Sequence, residues 1–171
     1  EGQGPMEQTA ARQANVRVIP WAAPEALPQW LFAADVLLVP PSSEPLRRFG
    51  TCVLPLKLFS YLAAGRPILA PDAPDTRELL THEQTAFLVA PDQPDLAAAA
   101  LDRLLGDSGL AGLLSAKALE LAQGLSWDRR AQLIAAFLRR RLAQLPPGLA
   151  SPVYAGGDPA FAASRGSASN M

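Results

Sequence analysis

The apolar run VLLVP at residues 36–40, and LPLKLFSYLAAGRPILA at residues 54–70, decide the fold. The first run ends in a segment rich in Pro, Ser and Gly and shows no polar alternation. Such a run predicts a strand covered on both faces, as in a parallel sheet flanked by helices. Residues 55–65 predict a helix. Pro55 suits the first turn, where its missing N–H is no loss, and Gly65 suits the left-handed residue that stops a helix. Leu54, Leu58, Tyr61 and Leu62 recur at helical spacing and give one apolar face. Residues 67–70 then read as a second strand. The order is strand, long loop, helix, strand, with residues 40–54 as the loop where an open parallel sheet places its ligand.

Working outward, residues 16–19 (VRVI) predict a short strand and residues 6–14 a helix before it. The Gly/Pro stretch at 2–5 reads as an ordinary turn. Residues 25–34 predict a helix interrupted near Pro28. Downstream, residues 71–75 form a turn. Asp75 is suited to cap a short helix over 76–80, with Glu78 in its first turns. Residues 86–89 predict a buried strand. Helices follow over 96–105, with Asp95 as its cap, over 110–123, and over 127–145 with Ser126 as its cap. Strands near 16–19, 36–39, 67–70 and 86–89 alternate with helices. The fold class is therefore α/β, a three-layer domain with a parallel sheet over residues 1–145. Residues 146–171 shift to Pro, Gly, Ala and Ser with almost no large apolar side chain, and predict a disordered tail.

Composition narrows the function classes. The chain has 171 residues, about one domain. Its formal net charge of −1 gives no general pull on nucleic acid, so no nucleic-acid partner is expected. The single cysteine, Cys52, excludes an intrachain disulfide and a cysteine-based metal cluster. His82 is the only histidine and has no nucleophile or acid at a usable spacing, so it reads as a loop residue. No apolar run approaches the roughly 18 residues of a membrane-spanning helix. The chain starts on Glu1 with no signal peptide and reads as a cytoplasmic fragment whose upstream part is missing.

AADVLLVPPSS at 33–43 followed by LPLKLFSYLAAGRPILA resembles the C-terminal, nucleotide-sugar-binding half of the group 1 retaining glycosyltransferases. These glycogen-synthase-like enzymes have two Rossmann-like domains, the GT-B fold. The likeness runs from EGQGP at residues 1–5 to LSWDRRAQLIAAFL at 125–138. It implies a UDP- or GDP-sugar as donor substrate, no cofactor and no metal, and a separate N-terminal acceptor domain. It also implies a parent enzyme that transfers a hexosyl group to a hydroxyl, with the donor half inactive alone. The unpaired N–H groups and dipole of a helix start favour anions. In the family this start holds the donor diphosphate, which implies Gly50, Thr51, Cys52, Val53, Leu54 and Lys57 here, with an exposed helix lysine as the alternative for Lys57. Arg47 and Arg48 in the loop read as a solvated pair, with a phosphate or sugar contact as the alternative.

The chain departs from the family at two glutamates spaced eight residues apart. Ser60 stands where the second accepts bonds from the ribose hydroxyls, and Cys52 stands where the first touches the sugar. Glu44 is the loop acid that could replace the first. No residue is assigned a catalytic role. These departures motivate a second reading, a nucleotide-sugar-binding or assembly module without catalysis. An epimerase or a phospho-acceptor domain would need acids and histidines that the chain does not show. Arg139, Arg140 and Arg141 complement the dipole at the end of the last helix. The alternative is a weak peripheral contact with the inner face of a membrane, for which three arginines are few.

The composition of residues 146–171 leads to a first test. Their removal should leave the melting temperature unchanged, and a marked drop would show that this segment packs on the core.

Overall fold

The computed structural model describes residues 4–19, 23–50 and 54–145, apart from the side chains of Met6 and Pro45. The predicted tail at 146–171 lies outside the described residues. The chain divides into two units, Glu1–Ser126 and Trp127–Met171. The first contains a three-stranded parallel sheet in the order β1 (Leu37–Leu38), β2 (Ile68–Pro71), β3 (Phe87–Val89). Leu37 pairs with Ile68, and Leu69 with Phe87.

The three strands sit between two apolar layers because their side chains alternate between them. Leu37, Val39, Ile68, Ala70, Ala86 and Leu88 enter one core, with Leu58 and Leu62 of α4 (Lys57–Ala64) and Ala118 of α7 (Ser108–Gln123). Leu31 of α2 (Leu27–Ala33) packs against its edge. Leu69, Phe87 and Val89 enter the other, with Ala100 and Leu104 of α6 (Pro94–Gly106) and Leu114 of α7. Helix α7 thus serves both cores. Leu58 and Leu62, one turn apart on α4, are wholly buried. Truncating either to Ala should cost about 2–5 kcal/mol. Tyr61, on the same face, donates to the carbonyl of Leu38 at 3.5 Å. Burial raises its pKa.

Several boundaries correct the sequence reading. Helix α4 starts at Lys57 rather than Pro55, whose carbonyl accepts from Leu58 N–H in a tighter first turn. The expected strand at 16–19 is not formed. No sheet pairing involves it among the described residues, and Val16 and Ile19 remain exposed. β-branched residues alone do not make a strand without a ladder partner. Pro28 does not interrupt a helix. A 3₁₀ turn at Pro24–Ala26 leads into α2, and Pro28 sits in its first turn, where proline is tolerated. The segment at 6–14 shortens to α1 (Pro5–Ala10).

The loop expected at 40–54 contains a helix, α3 (Glu44–Phe49). Its acid and proline stand in the first turn, Arg47 and Arg48 in the last, and Gly50 caps it in the left-handed region at φ 70°. The expected cap Asp75 lies instead in the first turn of α5 (Pro74–Arg77), and Ala73 is the cap residue. Asp95 likewise lies in the first turn of α6, after the cap residue Gln93. Asp107 caps α7 by accepting from Leu110 N–H at 2.9 Å. His82 is structural: its Nδ1 accepts from Leu88 N–H at 3.0 Å, and its ring meets Phe87 edge-on.

The second unit is described by α8 (Trp127–Ala143), with Asp128 in its first turn and Arg140 and Arg141 in its last. Among the described residues no helix is long and apolar enough to cross a membrane.

Gly65 closes α4 at φ 60°, and a Cβ there would meet Leu119 side-chain atoms at 3.6–3.9 Å, an ordinary contact. The cost of Gly65→Ala is then the left-handed backbone itself, about 1–2 kcal/mol. Urea denaturation should show that loss; no loss would mean that the turn relaxes out of the left-handed region.

Candidate functional site

In a parallel sheet all strands end on the same side. Here that edge opens into a cavity of about 710 Å³. Val39 and Pro40 line it just beyond β1, Pro71 and Asp72 at the end of β2, and Pro91 beyond β3. Open α/β sheets bind ligands at this edge.

Two turns build the walls. After β2 the chain enters α5, held by Thr76, the one buried polar side chain among the described residues. Its hydroxyl donates to the Pro71 carbonyl at 2.5 Å and accepts from Ala73 N–H at 3.2 Å. Arg77 grips Asp72 through both carboxylate oxygens, with Nη2 at 2.7 Å. That pair holds the Asp72 carboxyl below its ordinary pKa. Asp75 and Glu78 complete this wall.

The other wall is α3, and it is tied to the turn after β3. Ser43 N–H donates to Asp92 Oδ1 at 3.0 Å, and its hydroxyl donates to Oδ2. Arg47 Nη1 reaches Asp92 Oδ2 at 2.6 Å and the Ser43 hydroxyl. Asp92 N–H donates to the Pro41 carbonyl at 2.8 Å, and its backbone is left-handed at φ 59°. Asp tolerates that region better than most residues. Two hydrogen bonds from Ser43, then Arg47, pull the Asp92 carboxyl down to about 2.

The residues expected from the sequence fall unevenly around this cavity. Gly50 lines it. Glu44, the first residue of α3, and Lys57, the first of α4, are exposed and outside its lining. Leu54 packs on the core. Thr51, Cys52 and Val53 lie outside the described residues. Ser60 is half-buried and lines a second pocket of about 240 Å³ with α2 residues Leu31 and Phe32. Arg47 is engaged by Asp92, and the Arg48 guanidinium lies 5.3 Å from the Phe49 ring centroid. The sequence reading missed Asp92, Thr76 and Phe49. A Pro-Asp turn was visible at 91–92, but nothing in the sequence pairs it with a serine 49 residues earlier.

Comparison with known proteins fixes the family. Residues 2–107 match the family described as Glycosyl transferases group 1. The chain belongs to the group 1 glycosyltransferases. It is 31% identical over 130 residues to D-inositol 3-phosphate glycosyltransferase of Jonesia denitrificans, an alignment covering 75% of this chain and 29% of that protein. The chain spans between 21% and 29% of the curated relatives that it matches.

Among solved structures, sucrose-phosphate synthase of Thermosynechococcus elongatus superposes with a TM-score of 0.64 at 23% identity. The overlap covers 81% of this chain and 33% of that one. Anabaena HepE in complex with UDP gives a TM-score of 0.56 at 20% identity, covering 67% of this chain and 30% of that one. The same protein has been solved with UDP-glucose. These neighbours share the fold, so the parallel sheet here belongs to a domain of GT-B type.

The Ser43–Asp92 tie generates a pH prediction. A carboxylate of this kind ordinarily titrates near 3.9. The folded value lies below it, so the tie stabilises the fold above roughly pH 4 and that contribution is lost as pH falls through about 2. Carbon-detected NMR titration should place Asp92 near that low value, and Ser43→Ala should return it towards the ordinary one. An unmoved titration would show that Ser43 does not hold the carboxylate.

Proposed function

We propose that this chain is the donor-binding part of a glycosyltransferase that moves a hexosyl group from a UDP- or GDP-sugar to a hydroxyl acceptor. The observation that carries the reading is the 710 Å³ cavity at the carboxyl edge of the sheet, in a chain of this family. HepE, with the same fold, binds UDP and UDP-glucose.

On this reading the diphosphate rests at the start of α4, against Gly50, residues 51–54 and the ammonium of Lys57. Helix N–H groups and a lysine stabilise the charge that develops on the diphosphate leaving group. Glu44, the first residue of α3 and outside the cavity lining, is the acid that this reading offers to the sugar from the rim, and Ser60 takes the ribose position. The nucleotide sugar is the donor substrate, and the chemistry calls for no metal or organic cofactor. The acceptor is held by a second domain, without which this chain binds but does not turn over. No nucleic acid is a partner. The chain acts in the cytoplasm, with a weak contact at the inner membrane face through Arg139, Arg140 and Arg141 as a further element of the reading.

One placement favours a second reading, a binding or assembly module that has lost catalysis. Ser60 faces the small pocket beside α2 and carries no charge with which to hold a ribose.

Calorimetry with UDP and GDP tests the donor site. Weak binding of one of them is expected, with no transfer; no binding of either at millimolar concentration would sink the site. The same titration with Ser60→Glu tests the ribose assignment. A charged acceptor adds about 1 kcal/mol, several-fold in affinity. The gain should vanish with deoxyribonucleotides; a gain that survives them rejects the ribose role.

A further inference from the structure

The cavity at the sheet edge has a one-sided chemistry. Asp72, Asp75 and Glu78 line it, and no lysine or arginine does among the described residues. Arg77 compensates Asp72. Asp75 and Glu78 have no ion-pair partner among the described residues. A dianionic diphosphate would be repelled by such a wall, so the cavity itself suits a different part of the ligand.

Phe49 lines the same cavity and is 67% exposed. Gly50 beside it has open space around it. A large apolar ring held at the mouth of a cavity whose polar groups are mostly acceptors is the informative kind of exposure. Carboxylates accept strong hydrogen bonds from hydroxyls, and an aromatic face accepts the C–H face of a sugar ring.

We infer that this cavity receives the transferred sugar of the donor as a neutral pyranose, with Phe49 as its stacking platform and Asp75 and Glu78 as acceptors for its hydroxyls, and that it rejects hexuronic acids. The inference rests on the donor-site reading above and specifies its substrate class. The sugar carboxylate of a uronate would face two carboxylates that have no ion-pair partner among the described residues. The nucleotide diphosphate lies outside this wall, towards the start of α4.

The test titrates UDP, UDP-glucose and UDP-glucuronic acid against the 171-residue chain. UDP-glucose should bind several-fold more tightly than UDP, and the glucuronate about tenfold more weakly than the glucose compound at low salt. A double variant, Asp75→Asn with Glu78→Gln, should narrow that gap to about twofold by gaining the uronate. Phe49→Ala should remove the advantage of UDP-glucose over UDP. If the chain selects GDP, GDP-mannose and GDP-mannuronic acid replace the uridine pair. Equal affinity for the neutral and acidic sugars, with nucleotide binding intact, overturns the inference and leaves the donor site standing. Failure of every nucleotide to bind overturns both. The comparison of sugars on the unaltered chain decides the matter even where a variant fails to fold.

Discussion

Strand β2 is the constraint on which the structure depends. It is the middle strand of three, so its backbone is paired on both sides. Ile68, Leu69 and Ala70 are all at most 1% exposed, and they alternate between the two cores. A polar residue at any of them would leave a buried group without a partner. The helices follow from this. Each core needs a cover, and α4 with α2 supplies one while α6 supplies the other. The strand ends on Pro71, which has no N–H to extend the ladder, and Asp72 N–H makes the next bond, to Val89 at 2.7 Å. Proline is suited to such a terminal position. The strand therefore stops where the cavity opens.

Prolines recur around that opening. Pro40, Pro55, Pro71, Pro74 and Pro91 all line the cavity. Each fixes its own backbone and removes a donor. A wall made this way is preorganised, but it offers few N–H groups to an anion. Anion binding must then draw on other donors, and the start of α4 with Lys57 is the nearest such feature in the chain order. Polyol recognition has the opposite demand, for acceptors, which carbonyls and carboxylates meet. On the proposed reading, the sugar would sit at the prolines and the diphosphate at the helix start, where the donors are.

What was legible in the sequence was the part written in local pattern. The unbroken apolar runs at 36–39, 67–70 and 86–89 are the three strands. Gly65 ends its helix in the left-handed region as its position requires. Helix α3 was also written locally, in an acid and proline at one end and Arg47, Arg48 and Gly50 at the other, but its six residues hide inside a proline-rich loop. The strand expected at 16–19 had the right residue types, yet its formation depends on a ladder partner that local pattern does not reveal. The Asp92 tie is less legible still. Its energy comes from a meeting of two turns, and only the folded sheet brings residues 43 and 92 together.

Position 60 shows why family likeness and chemistry part company. The family resemblance places a carboxylate there. Here Ser60 sits with Ala63 and Ala64 at the spacing of one helix face, beside Pro28, Leu31 and Phe32. Small side chains on α4 leave the 240 Å³ pocket between the helices, with space for a longer side chain at position 60. The packing that fixes the fold does not depend on residue 60, because Leu58 and Leu62 carry the buried face of α4. A change there leaves the scaffold intact. The fold is consequently shared with enzymes of many substrates, while the identity of the ligand is set by side chains that the core does not use.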